Sequence, residues 1–174
     1  AGNAAAVVNA GADRTVNEGA TVALAPATFN DPGTLDTHTA TVDWGDGSAL
    51  ESATVTEAPF GPPGLVSGAS GTVAGSHVYG DNGAFTVTVC VTDDDGSTTC
   101  DALTITVLNV PPVVTIAQFA QGAPFVLTLV PVSASVSFTD PGALDTHTAT
   151  VNWGDGSSVQ ALGAVNSPFA PVHA

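Results

Sequence analysis

The clearest pattern in the chain is an alternation. Phe85, Val87, Val89 and Val91 are apolar, and Thr86, Thr88, Cys90 and Thr92 sit between them. A period of two puts each set on one face of a β-strand. Asp93-Asp94-Asp95-Gly96 then supplies a turn, and Ser97 to Val107 returns with Leu103, Ile105 and Val107 on the apolar face. Upstream, Ala40, Val42 and Trp44 alternate with Thr39, Thr41 and Asp43, which predicts a second strand closed by a tight Gly45-Asp46-Gly47-Ser48 turn. Weaker patterns fill in the rest. Val7-Val8 opens a short edge strand that Asp13 to Gly19 continues. Thr21 to Phe29 reads as one strand, with Val22 and Leu24 inward and a break near Pro26, and Ala49 to Thr56 as one more. Asp31-Pro32-Gly33 reads as a type II turn with Gly33 at positive φ. Glu57 to Gly75 is rich in Gly, Pro, Ser and Ala and reads as a long surface loop. No segment has helical periodicity. Short strands separated by Gly, Pro and Asp turns predict an all-β antiparallel sandwich.

The chain writes one passage twice. Residues 29 to 48, FNDPGTLDTHTATVDWGDGS, return at 138 to 157 as FTDPGALDTHTATVNWGDGS, with seventeen of the twenty positions unchanged. The constant shift of 109 residues predicts a tandem arrangement of one copied unit. Residues 1–108 read as a complete sandwich and 109–174 as a partial second copy, joined by the stiff linker Asn109-Val110-Pro111-Pro112. In the second copy Val132, Ala134, Val136 and Phe138 share one strand face, but no counterparts of the strands at 85–91 and 99–107 follow. A sandwich without them leaves the face of Val151 and Trp153 uncovered. Three readings account for this: a fragment of a longer array, partial disorder of the copy, or completion by strands of a neighbouring molecule.

The hairpin also bears on the two cysteines. A three-residue loop Asp94-Asp95-Gly96, with Gly96 in the left-handed conformation, sets Asp93 opposite Ser97, Thr92 opposite Thr98 and Cys90 opposite Cys100. Both cysteines lie on the non-core face, so this register predicts a cross-strand disulfide. Two free surface thiols are the alternative.

Charge narrows the partners. Sixteen acids stand against the single base Arg14, with no lysine, for a net charge of −15. Such a chain repels nucleic acid and anionic lipid heads and favours divalent cations. No run of about eighteen apolar residues predicts a membrane span, so no membrane insertion is expected.

Four motifs occur in order: Trp44-Gly45-Asp46-Gly47-Ser48, His77-Val78-Tyr79, Gly83-Ala84-Phe85-Thr86-Val87-Thr88-Val89, and Val91-Thr92-Asp93-Asp94-Asp95-Gly96. Over residues 7 to 107 the chain resembles the PKD (polycystic kidney disease) domain family. The departures are Phe85, where tyrosine is frequent, and the Pro/Gly loop at 57–75. The resemblance implies an immunoglobulin-like sandwich used in extracellular or cell-surface arrays, secreted, with neighbouring repeats as partners.

In an immunoglobulin-type strand order the turn at 31–38 and the hairpin at 93–96 share one end. That gathers Asp31, Asp36, Asp93, Asp94 and Asp95, with Asp140 and Asp145 in the second copy. Such a carboxylate cluster suits Ca²⁺, which takes six to eight oxygen ligands from flexible loops; the alternative is that these acids only cap turns. Calcium there would stiffen the domain junction. His38 and His147 are expected to bond backbone, His77 to anchor the step into the next strand, and Asn17 and Glu18 to be solvated. Asp46 and Asp155 are read as turn formers, and Trp44 and Trp153 as core. No nucleophile elbow, zinc-protease helix or phosphate-binding loop is written in the chain, so it is read as no enzyme. Three functions fit: a structural or adhesion module of an array, a filament subunit completed by a neighbour's strands up to a homopolymer, and an ancillary module of a secreted hydrolase that binds a polysaccharide or matrix polymer.

Overall fold

A computed structural model describes residues 2–24, 27–58, 62–119 and 132–173. These are all-β, with fifteen strands and no helix. The chain divides into two compact units, Ala1–Asn109 and Val110–Ala174.

The first unit contains β1 (Val7–Asn9), β2 (Arg14–Asn17), β3 (Thr21–Ala23), β4 (Ala27–Asp31) and β5 (His38–Asp43). It continues with β6 (Glu51–Glu57), β7 (Ala69–Ala74), β8 (Ser76–Val78), β9 (Gly83–Asp93) and β10 (Thr98–Leu108). Eight of them form one sheet in the order β1-β4-β7-β6-β5-β9-β10-β2, and β3 pairs with β8 separately. Strand β6 gives Glu51 to Ala53 to β5 and Thr54 to Glu57 to β7. The sheet therefore curls there, consistent with a β-sandwich. Val8, Phe29 and Val73 from one limb meet Val42, Val89 and Ile105 from the other in a single core. The long β9–β10 hairpin has the register its alternation predicts: Thr92 faces Thr98 and Cys90 faces Cys100. Gly96 takes φ 91°, and Cys90 and Cys100 form a disulfide.

Several local expectations are corrected. The edge strand at 7–19 is two strands on opposite limbs: β1 pairs antiparallel with β4, whereas β2 pairs parallel with β10. Gly11, at φ 99°, lies between them. The strand at 21–29 likewise divides into β3 and β4, which have different partners; the break at Pro26 lies outside the described residues. The loop at 57–75 contains β7, which sits inside the sheet between β4 and β6. Its inward residues are Ala69, Gly71 and Val73, too small to register as a hydrophobic pattern. A Cβ on Gly71 would meet the Phe29 ring at 2.6 Å, so the missing side chain is what seats that ring. Gly33 is not at positive φ, so the 31–33 turn is not type II. Glu18 is buried, 2% exposed, rather than solvated.

The second unit contains β11 (Val113–Phe119), β12 (Val132–Thr139), β13 (His147–Val151), β14 (Gln160–Val165) and β15 (Val172–His173). Its sheets are β11-β12-β15 and β13-β14. Strands β5 and β13 share sequence but differ in burial. Ala40, Val42 and Trp44 are 5%, 1% and 1% exposed; Ala149, Val151 and Trp153 are only half-buried. Trp153 therefore corrects the expectation of a second core tryptophan. In the first unit β9 pairs with one edge of β5 and β6 with the other. Among the described residues, β13 pairs only with β14.

Candidate functional site

The repeated DPGxLDTHT passage joins β4 to β5. Asp31 ends β4 and is fully buried. Its Oδ1 accepts a hydrogen bond from the Gly33 amide at 2.6 Å, closing an Asx turn. A Cβ on Gly33 would meet the Asp36 carboxylate, which would have to turn aside. Asp31 Oδ2 lies 3.3 Å from His38 Nε2. The other ring nitrogen, Nδ1, lies 2.9 Å from Glu57 Oε1, which also accepts from the His38 amide at 2.8 Å. The His38 ring packs against Phe29, with centroids 4.6 Å apart. His38 thus bridges two carboxylates instead of bonding backbone. In a chain with one strong base, an imidazole is the available polar partner for buried acids.

Strand pairing brings the hairpin to this loop, because His38 faces Asp93 across β5 and β9. Asp93 Oδ1 accepts from the Ser97 amide and Oδ2 from Asn3 Nδ2, each at 2.8 Å. Oxygens of Asp31, Asp36 and Asp93 lie within 4.8 Å of one another and could hold a cation. Asp94 stands at the rim and accepts from the Thr37 amide at 3.3 Å; Asp95 is exposed at the hairpin tip. The charges are unequally balanced. Burial, then the negative charges of Asp31, Asp94, Asp95 and Asp93, raise the pKa of Asp36. Burial also pushes Asp93 up, but hydrogen bonds from Asn3 and the amides of Ser97, Gly96 and Asp95 hold it below its usual range. The result is one anion secured by donors beside one crowded by like charge.

In the second unit, Asp140 Oδ1 accepts from the Gly142 amide at 2.8 Å and Oδ2 lies 2.9 Å from His147 Nε2. Those hydrogen bonds, His147 first, lower the Asp140 pKa. Asp140, Asp145 and His147 also form a group within 4.8 Å. His147, like His38, bonds a carboxylate rather than backbone.

A second constellation went unrecognised in the sequence. His77 Nε2 lies 2.7 Å from Asp46 Oδ2 in the Gly45-Asp46-Gly47 turn. The His77 ring stacks on Trp44 with centroids 5.1 Å apart, and Tyr79 meets it edge-on at 4.8 Å. Tyr79 Oη donates to the Trp44 carbonyl at 2.9 Å. Burial works against ionisation of Asp46, but hydrogen bonds from Ser48 and His77 outweigh it and bring the pKa to about 2. Burial, assisted by Asp46, pushes Tyr79 up to about 12. The second unit repeats the device: His173 Nε2 is 2.8 Å from Asp155 Oδ2 and its ring stacks on Trp153 at 5.0 Å. Hydrogen bonds from Ser157 and His173 hold Asp155 well below the usual carboxylate range. Even the indole partners correspond, Trp44 to Glu51 and Trp153 to Gln160. The available sequence signal was the pairing of each WGDG turn with one downstream histidine, His77 and His173.

A scan against models of known protein families finds no match, and a search of curated proteins finds none either.

Proposed function

We propose that this chain is a non-catalytic structural module of an extracellular repeat array, built as tandem immunoglobulin-like sandwiches of PKD type. The observation that carries this reading is the recurrence of the His–Asp pairs. In both units each histidine is bonded to a carboxylate that also shapes a turn. Side chains suited to acid–base chemistry are used to tie turns to strand ends. The disulfide and the lack of a membrane-crossing helix among the described residues are compatible with an oxidising extracellular setting.

Calcium at Asp31, Asp36 and Asp93 is part of the proposal. Hard carboxylate oxygens on a loop and a hairpin end are the ligand class it takes, and a cation would relieve the crowding at Asp36. Millimolar Ca²⁺ is expected to raise the melting temperature relative to EDTA. Asp36→Asn is expected to raise it in EDTA and to abolish the calcium response. Equal melting temperatures with calcium and with EDTA would remove calcium from the reading. Pull-down on chitin, cellulose and collagen tests the module itself: robust retention would replace the structural role with polymer binding.

A further inference from the structure

The two ring nitrogens of His38 face carboxylates in different ways. Nδ1 lies 2.9 Å from Glu57 Oε1, which also accepts from the His38 amide. An ionised carboxylate only accepts, so Nδ1 carries the proton of a neutral imidazole. Nε2 is then a lone pair. It faces Oδ2 of Asp31, another acceptor, and both side chains are fully buried. Two acceptors that meet out of reach of water call for a positive ion between them, either a second proton or a metal.

Distance separates these two. A charge-assisted N–H···O bond spans about 2.7–2.9 Å, as the one from Nδ1 to Glu57 does. Nε2 and Oδ2 are 3.3 Å apart. A tetrahedron of ligands around a zinc ion, each about 2.0–2.1 Å from it, has an edge of about 3.3–3.4 Å. The remaining donors fit the same reading. Both oxygens of Asp93 already accept, from the Ser97 amide and from Asn3. Asp36, in the same group within 4.8 Å, accepts no hydrogen bond among the described residues. Glu57 sits where metal-bound histidines carry an outer carboxylate, on the nitrogen turned away from the ion. The second unit writes the same donors again, with Asp140, Asp145 and His147 in one group.

We propose that the first unit holds a zinc-class divalent ion between Asp31 Oδ2 and His38 Nε2, with Asp36 as third ligand and Glu57 as the positioning residue behind His38. Calcium takes oxygen ligands and would draw on Asp31, Asp36 and Asp93, so the two ions compete for Asp31 and Asp36. The inference does not rest on the calcium reading, because the imidazole serves only an ion that takes nitrogen.

The test titrates ZnCl₂, CaCl₂ and CoCl₂ separately into the full chain and follows the amides of residues 31–38 and the His38 ring by NMR. Zinc is expected to bind there at least a hundredfold more tightly than calcium, and paramagnetic Co²⁺ to shift the His38 ring. His38→Gln and Asp36→Asn are each expected to weaken zinc at least tenfold, and Glu57→Gln about tenfold. His77→Gln should change nothing at these amides. Because His38→Gln removes a zinc ligand and no calcium ligand, it separates failure of the zinc site from failure of the calcium reading. The Co²⁺ shift needs no variant and decides the matter if His38→Gln does not fold. Three results would overturn the proposal: zinc no tighter than calcium, Co²⁺ shifts that spare the His38 ring, or zinc affinity unchanged in Asp36→Asn. Each would leave a second proton as the ion between Asp31 and His38.

Discussion

At the residue scale, the Asp46–His77 pair is a charge-dependent fastening. Asp46 titrates near 2 in the folded chain against an ordinary value of 3.8. A carboxylate with a depressed pKa contributes stability that is present above its unfolded value and is lost as pH falls through the folded one. The contribution of Asp46 should therefore fade between about pH 4 and pH 2. Asp46→Asn is expected to lower the urea midpoint at pH 7 and to flatten its fall across that window. A variant whose acid profile parallels the parent's would remove the pair from the acid response. The Asp, the His and the aromatic neighbours were all readable in the sequence, but their association was not. Thirty-one positions separate Asp46 from His77; the pairing of β8 with β3 and the stacking of the His77 ring on Trp44 bring them together.

At the element scale, the two WGDG turns compare one local sequence in two settings. Gly45 and Gly154 both take positive φ, 77° and 76°. A Cβ on Gly45 would collide with the backbone oxygen of Thr86 on β9, whereas among the described residues nothing lies within 4 Å of the same position on Gly154. Gly154→Ala should cost only the left-handed strain, about 1–2 kcal/mol. Gly45→Ala should cost at least about twice that, because β9 must also move. Site-resolved denaturation of each variant measures the difference, and equal costs would contradict the close approach of β9. The β9–β10 hairpin offers a second comparison. Its disulfide closes a short loop, so reduction or a Cys90→Ser, Cys100→Ser double change should lower stability by about 2–3 kcal/mol on the chain-entropy model. Denaturant midpoints with and without reductant would read it. The hairpin was legible because its alternation is strong and its loop residues dictate the register. Strand β7 was not, because its inward Gly71 is small for a packing reason that lies on another strand, in Phe29.

At the scale of the whole molecule, the two units differ in how completely their shared strand is covered. Val87, Val89 and Ile105 are fully buried in the first unit, while Ala149 and Val151 are half-buried in the second. Local stability follows buried apolar contact. Amide exchange at residues 149–151 should be at least tenfold faster than at residues 87–91. Chymotrypsin should cut near Trp153 before Trp44. Uniform protection across both units would show that the exposed face of the second is no weaker than the sealed one.

The sequence by itself determined the periodicity of β5, β9 and β10, the glycine turns at Gly45 and Gly96, the β9–β10 register with its disulfide, and the copying of one passage 109 residues on. These are local or self-comparing properties: a side chain's parity in a strand, a glycine's left-handed φ and an identity between two segments need no third element. Tertiary structure decided the rest. It sent β1 and β2 to opposite limbs, placed β7 in the sheet, buried Glu18 and set His38 between Asp31 and Glu57. It also gave Trp44 and Trp153 different burial in the same local sequence. Alternation tells which face of a strand is apolar, but the neighbour that covers that face comes from elsewhere in the chain.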